Sequence, residues 1–296
     1  MSAHQEAVGR ATAGRRAKDL AFKVALWMCL VVAIALLVVL LGDTVADGAG
    51  SLDWDFITSF TSISADQAGI QAALWGTVWI MAVCALFIIP VGVATAIYLE
   101  EYADETRWWN RLIELNIQNL AAVPSIVYGI LGLAFLVRGP LSLGPVVLAG
   151  GLTLALLVLP MVIIAGREAL RAVPPSIREG SMALGATQWQ TIWRQVLPAA
   201  IPGIATGVIL ALSRAIGETA PLIVVGAATV IAFNPTGLDS DFTAMPIQIF
   251  EWISRASNDV NNYKPLAAAG ILVLILLLLA MNGVAIWLRN RYEQRW

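Results

Sequence analysis

Six long apolar stretches alternate with polar segments along the chain. A helix that crosses the hydrocarbon core of a membrane needs roughly 20 consecutive apolar residues. The stretches that approach or exceed this length lie near residues 24–42, 72–98, 115–137, 144–165, 199–232 and 266–288. The pattern predicts an all-α membrane protein with six transmembrane helices. We expect one domain over residues 24–288, with polar tails at 1–23 and 289–296.

In two of these stretches, the third and the fifth, we expect the helix to be interrupted. The fifth would run roughly 50 Å as one helix, against a hydrocarbon core of about 30 Å. It must therefore tilt, break or extend out of the membrane, and Gly217 and Pro221 are the expected hinge positions. In the third stretch, Pro124 should kink the helix near Ser125 and Tyr128, whose hydroxyls could serve a transport pathway. The alternative is a kink that local hydrogen bonds stabilise.

The distribution of basic residues predicts the orientation. Fourteen of the 18 Lys and Arg residues lie on one side of the six-span arrangement, in the segments 1–23, 99–114, 166–198 and 289–296. Because short loops rich in Lys and Arg stay in the cytoplasm, both termini are predicted to be cytoplasmic. The apolar run from Val24 to Leu41 exceeds the length of a usual signal-peptide core, which favours a retained first helix.

Composition narrows the class of protein. The chain is 59% hydrophobic and 13% charged, whereas soluble domains carry about 25% charged residues. A net charge of −2 gives no reason to expect a nucleic-acid partner. Because His4 is the single histidine, neither a histidine-based metal site nor a Ser–His catalytic pair is expected. We predict no catalytic residues and no metal site, and we interpret Cys29 and Cys84 as small buried residues.

Arg214 and Glu218 are the only charges between Gln195 and Leu238. A charged side chain near the middle of a membrane costs about 3 kcal/mol on insertion scales, so it persists with a partner or a function. A spacing of four residues places both on one helix face. The planar guanidinium fork matches the oxygens of an oxyanion. We predict a substrate pathway at Arg214, Glu218 and Thr219, in which an oxyanion displaces Glu218 from Arg214. The alternative is a structural ion pair.

The polar segment 166–198 predicts a short helix, a turn and a second amphipathic helix. Pro174 and Pro175 can open the first helix, where their missing donors do no harm. Gly185 suits the end of that helix. Apolar residues then recur at helical spacing up to a predicted end at Pro198. This hairpin is either an interfacial element on the lipid or a plug for a groove in a cytoplasmic protein.

Part of this segment resembles the EAA loop of ABC importer permeases. That pattern is Glu-Ala-Ala, three residues, Gly, nine residues, Ile, one residue and Leu-Pro. The matching positions are Glu179, Gly180, Ser181, Gly185, Leu197 and Pro198. Gly180 and Ser181 replace the two alanines, and Gln195 replaces the isoleucine.

This resemblance implies a type-1 ABC importer permease fold with a cytoplasmic EAA-type loop. A short coupling helix near residues 176–186 would dock on an ATP-binding subunit and pass its motion to the membrane. The coupling residues that the resemblance implies are Glu179, Gly180, Ser181, Ala183, Leu184, Gly185 and Ala186.

Two further segments, residues 119–129 and 214–222, resemble phosphate permeases of the PstA-like type. The resemblance extends over roughly residues 72–232. It implies the permease subunit of an ATP-driven phosphate importer in the plasma (inner) membrane of a prokaryote. The implied partners are a second, PstC-like permease in a heterodimer, two copies of a PstB-like ATP-binding subunit, and an extracytoplasmic PstS-like phosphate-binding protein.

No lysine of the chain follows a glycine, as a Walker A loop requires. We therefore expect no cofactor in this chain and expect ATP and Mg to be bound by the partner ATPase. Three alternatives stay open. They are a permease for sulfate or molybdate, a proton-coupled secondary transporter with Glu218 as carrier, and an intramembrane enzyme.

The acidic outer segments and the small residues of the fifth stretch each predict how the chain packs. The acidic segments 43–71 and 233–265 are expected to be solvated loops with aromatic anchors at the outer interface, or a docking rim for an extracytoplasmic partner. The proposed anchors are Trp54, Phe56, Phe60 and Trp252. Small residues recur at intervals of four in the fifth stretch, at Ala199, Gly203, Gly207, Ala211 and Ala215. Such a stripe lets another helix approach closely, in this chain or in a partner permease.

Overall fold

The computed structural model describes the backbone of residues 2–104, 106–227, 230–255 and 262–292. Side chains are described within these ranges from Lys18 onward, except at Leu288 and Tyr292. An isolated β-bridge joins Val146 to Asp241. The α-helices of the described residues are, in chain order, α1 Ser2–Gly48, α2 Trp54–Thr58, α3 Gln71–Ile97, α4 Trp108–Ala121, α5 Ser125–Gly132, α6 Val147–Arg171, α7 Pro175–Ala183, α8 Gln188–Thr191, α9 Leu197–Ile216, α10 Ala220–Val225, α11 Met245–Ser254 and α12 Lys264–Tyr292.

Five helical segments of the described chain are long and apolar enough to cross a membrane, and a bent pair can supply the sixth. The five are Lys18–Ser51, Gln71–Tyr102, Val147–Arg171, Gln188–Ile216 and Lys264–Arg291, and the pair is α4 with Ser125–Val137. These segments confirm the predicted all-α membrane fold. The limits proposed for the domain and its two tails stay predictions.

The third predicted span is not one helix. α4 ends at Ala121 and α5 begins at Ser125, with a bend of 108° between the two segments. Pro124 has a φ of −56° and a ψ of 138°, outside the helical region. Proline has no backbone N–H to donate, and it disfavours helical backbone at the preceding residue, Val123. The interruption expected near Pro124 is therefore a complete break of the helix.

The fifth predicted span also consists of two helices. α9 ends at Ile216, and α10 begins at Ala220 with a proline in its first turn. The predicted end of the preceding amphipathic helix at Pro198 is wrong, because the helix runs on from Gln188 to Ile216. A π-helical turn at Ile192–Val196 precedes α9, and Pro198 lies in the first turn of α9. A helix tolerates a missing donor at its first turn.

The predicted stripe of small residues packs within this chain, against α6. A Cβ added to Gly203 would lie 2.6 Å from the Cβ of Ala169, and one added to Gly207 would lie 2.4 Å from the Cβ of Ala165. These distances are shorter than real Cβ contacts, so glycine is what allows the two backbones to approach. Ala211 and α6 share one buried core with α3.

Two of the four aromatic residues proposed as anchors in the outer segments are buried rather than interfacial. Phe56 of α2 and Trp252 of α11 are buried, with ring centroids 5.9 Å apart. They belong to a hydrophobic cluster that also contains Ile70 and Tyr263. Trp54 is exposed and Phe60 is half-buried. The anchor role proposed for Phe56 and Trp252 is therefore wrong, because α2 and α11 fold back onto the ends of α3 and α12.

Helix α1 stands apart from this core. The described side chains of residues 18–43 are all exposed. Gly48 contacts α12, since a Cβ there would lie 2.6 Å from the carbonyl carbon of Ala268. Cys29 is consequently exposed, which corrects the expectation that both cysteines are buried, whereas Cys84 of α3 is buried.

Candidate substrate pathway and coupling surface

Arg214 and Glu218 form an ion pair at the break between α9 and α10. Arg214 Nε lies 3.2 Å from Glu218 Oε1, and the two side chains are 42% and 18% exposed. Arg214 occupies the last turn of α9, where a positive charge complements the helix dipole. Its Nη1 atom contacts Met161 Sδ of α6 at 3.4 Å, and a thioether is a weak acceptor. The guanidinium therefore keeps unused donors and an exposed surface.

The break itself is held by backbone bonds. Gly217 N–H donates to the Arg214 carbonyl at 3.2 Å, and Glu218 N–H donates to the Ala215 carbonyl at 3.2 Å. Thr219 precedes α10 and accepts from Ile223 N–H at 3.1 Å through its carbonyl. The ion pair is therefore part of an irregular segment whose next helix, α10, has only six residues.

The second helix break lies beside the first. A Cβ added to Gly129 of α5 would lie 2.8 Å from the Cα of Pro221, so α5 packs directly against α10. The Tyr128 hydroxyl is buried and donates to the Leu120 carbonyl of α4 at 2.7 Å. This local bond spans the 122–124 break and favours the alternative in which Tyr128 stabilises the break. Ser125 is half-buried at the start of α5. The pathway roles of these residues and the hinge roles of Pro124, Gly217 and Pro221 stay predictions.

One neighbour of the pair was missed by the sequence analysis. Ser213 Oγ of α9 lies 2.7 Å from Asn282 Oδ1 of α12. This contact fixes α9 to α12 one residue before Arg214. A single Asn in the sixth apolar stretch was the available signal, since a polar side chain at that depth needs a partner.

The residues that the resemblance assigned to coupling form an exposed surface on α7 and the turn after it. Leu184 is 92% exposed. Gly185 has a φ of +86°, a left-handed conformation that favours glycine and ends the helix. A groove of about 430 Å³ runs along this surface, lined in part by Ser176, Gly180, Ser181, Leu184, Ala186 and Arg194. Glu179 and Ala183 are exposed as well. An exposed leucine beside a groove suits protein docking, and the individual coupling roles stay predictions.

Arg178 holds α7 in place, and the sequence analysis did not assign it a role. Its Nη2 atom lies 2.6 Å from Glu101 Oε1, at the end of α3. The same side chain donates to the carbonyls of Val173 at 2.7 Å and Leu170 at 2.9 Å. Gln188 adds a bond of 2.6 Å to the Glu101 carbonyl. The basic residues of this segment were used only to predict orientation, because sequence spacing gives no sign of a partner 77 positions away.

A second group of ion pairs lies next to it. Glu100 accepts two bonds of 3.0 Å from Arg171 and lies 3.4 Å from Arg167 Nε. Arg167 Nη1 contacts Glu114 Oε1 of α4 at 2.7 Å. Arg167 Nε is buried and makes no hydrogen bond, so its approach to Glu100 is an ion pair without hydrogen-bond geometry. Among the described residues, no group of His, Cys, Asp and Glu side chains could hold a metal ion.

Residues 88–295 match the family described as "Binding-protein-dependent transport system inner membrane component". Among curated proteins, the chain is 31% identical to the probable ABC transporter permease YqgI of Bacillus subtilis over 88% of this chain and 91% of that protein. It is 34% identical to the phosphate transport system permease PstA of Mycobacterium leprae, over 80% and 78% of the two chains. It is 42% identical to PstA 1 of Mycobacterium tuberculosis (strain H37Rv) over 53% of this chain and 50% of that one.

Solved structures share the fold at low identity. A bacterial ABC transporter that imports alginate aligns with a TM-score of 0.63 and 19% identity, over 95% of this chain and 100% of that one. The MetNI methionine transporter, in an inward-facing conformation, aligns with a TM-score of 0.61 and 16% identity, over 75% and 95%. The fold is therefore that of type-1 ABC importer permeases. The chain belongs to the family of inner membrane components of binding-protein-dependent transport systems.

Proposed function

We propose that the chain is the membrane-spanning permease subunit of an ATP-driven importer of inorganic phosphate. The observation that carries this proposal is Arg214, a partly exposed guanidinium at a helix break within an apolar segment, held by one carboxylate. The relatives named as phosphate permeases support the choice of anion.

The proposed mechanism is an exchange of partners on Arg214. Phosphate binds the guanidinium fork in one conformation and displaces Glu218. Glu218 retakes Arg214 in the next conformation, and its negative charge repels the anion. The exchange keeps phosphate from binding too tightly to leave, since a permanent charge-assisted contact in a site of low dielectric constant would slow release.

The assembly that we propose contains a second, PstC-like permease, two PstB-like ATP-binding subunits and a PstS-like phosphate-binding protein. The exposed surface of α7 would receive the ATP-binding subunit, which binds ATP and Mg. The chain would lie in the inner membrane with both termini and α7 in the cytoplasm. The 14 Lys and Arg residues on one side of the six-span arrangement favour this orientation. ATP hydrolysis on the partners would switch access to Arg214 between the two sides.

The test is phosphate uptake by the whole complex, purified in mild detergent and reconstituted in liposomes. We expect an ATP-binding subunit and a second permease to co-purify with the chain. Uptake of labelled phosphate should require ATP, persist when a protonophore collapses the proton gradient, and resist excess sulfate or molybdate. Uptake that is lost with the proton gradient and independent of ATP would overturn the proposal. Complete competition by sulfate or molybdate would assign a different oxyanion.

A further inference from the structure

Glu100 and Glu101 are adjacent carboxylates that pair with arginines of different helices. They lie in the π-helical turn Tyr98–Tyr102, which follows α3. Glu101 pairs with Arg178 of α7, while Glu100 pairs with Arg167 and Arg171 of α6. The side chains of Glu101 and Glu100 are 8% and 14% exposed. Such pairs are screened by solvent far less than exposed ones, and an unpaired buried charge is costly.

On one side of this turn, the contact fixes the orientation of α7. Arg178 satisfies its guanidinium with one carboxylate and two carbonyls, one from the last turn of α6 and one from the segment after it. A planar fork with partners in three directions leaves little freedom to rotate. The Arg178 side chain thus joins α7 to the π-helical turn that follows α3.

On the other side, the contacts reach the broken helices. Arg167 bridges Glu100 to Glu114 of α4. α4 connects through the 122–124 break to α5, and α5 packs on Pro221 beside the Arg214–Glu218 pair. The contacts thus run from α7 through α3, α6 and α4 to the candidate substrate pathway.

We propose that Glu100 and Glu101 are positioning residues that link the ATPase-facing helix α7 to the broken helices around Arg214. This inference rests on the proposed function and adds the route by which ATP hydrolysis would be coupled to transport. The link acts in series. The Glu101–Arg178 contact receives the motion of α7, and the Glu100–Arg167–Glu114 contacts pass it to α4.

The test compares Glu100→Gln, Glu101→Gln and the double variant in the reconstituted complex, by the number of phosphate ions imported per ATP hydrolysed. Each single variant should lower this ratio by about threefold or more, while subunit stoichiometry and basal ATP hydrolysis stay unchanged. The double variant should be no worse than the poorer single variant. Glu101→Asp, which keeps the charge, should recover most of the ratio. Glu168→Gln is the matched control, because Glu168 is 67% exposed and lies 3.7 Å from Arg171 of its own helix.

Three results would overturn the link. They are an unchanged ratio in Glu101→Gln, losses that multiply in the double variant, and loss of the ATP-binding subunit from the complex. The last result would mean that the contact only maintains the shape of α7.

A second measurement separates this inference from the proposed function. Ala122 is exposed in the break between α4 and α5. In a Cys29→Ser background, ATP should change the rate at which a maleimide labels Ala122→Cys, and Glu101→Gln should abolish that change. If the starting complex imports no phosphate but shows an ATP effect that Glu101→Gln abolishes, the proposed substrate fails and the link stands. If ATP changes labelling equally with and without Glu101→Gln, the link fails and the substrate assignment is unaffected.

Discussion

Within the part of the chain whose side chains are described, two Arg–Glu ion pairs have a spacing of four residues and lie in very different settings. Arg214 and Glu218 lie at the break after α9, with Met161 as the other contact of the guanidinium. Glu251 and Arg255 lie at the end of α11, where Arg255 Nε donates to Glu251 Oε1 at 2.9 Å. The second pair also has the order, Glu before Arg, that better stabilises a helix.

The α11 pair is enclosed by further partners. Arg255 lies 4.8 Å above the centre of the Tyr263 ring, and Gln248 donates to Glu251 Oε2 at 3.2 Å. Partial burial works against the charged form, yet the hydrogen bond and charge of Glu251 raise the pKa of Arg255 above its usual value. These contacts hold Arg255 and Glu251 together. Among the described residues, no aromatic ring or side-chain amide contacts the Arg214–Glu218 pair in this way, so opening it for an anion leaves fewer groups unsatisfied.

The largest expected effect is the difference in phosphate uptake between variants of Arg214 and Arg255. Arg214→Ala should reduce phosphate uptake by the reconstituted complex about 100-fold, since it removes the charge-assisted contact to the anion. Arg255→Ala should change uptake less than about twofold. Initial rates of labelled phosphate uptake measure both variants. Undiminished uptake in Arg214→Ala would end the partner-exchange mechanism.

The two glutamates give the next comparison. Glu218→Gln should lower uptake turnover by about tenfold and lengthen phosphate retention, because a neutral amide competes for the guanidinium much less strongly than a carboxylate does. Glu251→Gln should leave both quantities unchanged. A rapid-filtration assay of bound phosphate during turnover measures retention. Faster release from Glu218→Gln would contradict the exchange and favour a structural ion pair.

For thermal stability, in contrast to uptake, the loss of Arg255 should matter more than the loss of Arg214. Arg255→Ala loses the enclosed pair and should lower the thermal midpoint of the complex by about 2–4 °C for each kcal/mol lost. Arg214→Ala should shift the midpoint by less, because a pair that is 42% exposed on one side contributes little. Fluorescence-monitored thermal unfolding in detergent compares them. A larger shift in Arg214→Ala would identify the first pair as structural.

The smallest effect concerns a neighbour of the first pair. Tyr128→Phe removes the side-chain donor to the Leu120 carbonyl, which still accepts from Val123 N–H, and should cost at most about 1 kcal/mol of stability. Uptake should change less than about twofold if the hydroxyl only holds the 122–124 break. The same uptake and thermal assays apply. A strong loss of uptake without loss of stability would place Tyr128 in the substrate pathway.

Sequence reasoning succeeded where the cause of a feature is local. Gly185, the Pro174–Pro175 start of α7 and the break after Ile216 follow from the backbone restrictions of proline and glycine. It failed at Pro198, because the π-helical turn before α9 provides a place where the missing donor does no harm.

Long-range partners were beyond the same reasoning. Phe56 and Trp252 are far apart in the chain, and nothing in their spacing indicates that they pack together. Arg178 is one of many basic residues in the sequence. Its structural role depends on its contact with Glu101, which follows α3. The Arg214–Glu218 pair could be predicted because both members lie on adjacent turns and no other charge is near them in sequence.

The close packing of α9 on α6 limits which parts of the molecule can rearrange. Gly203 and Gly207 meet Ala169 and Ala165, and no long side chain separates the helices at these two contacts. Because these contacts have no rotamers to exchange, we expect α6 and α9 to move together. We therefore expect a switch of access to bend the chain at the two helix breaks, at 122–124 and 217–219.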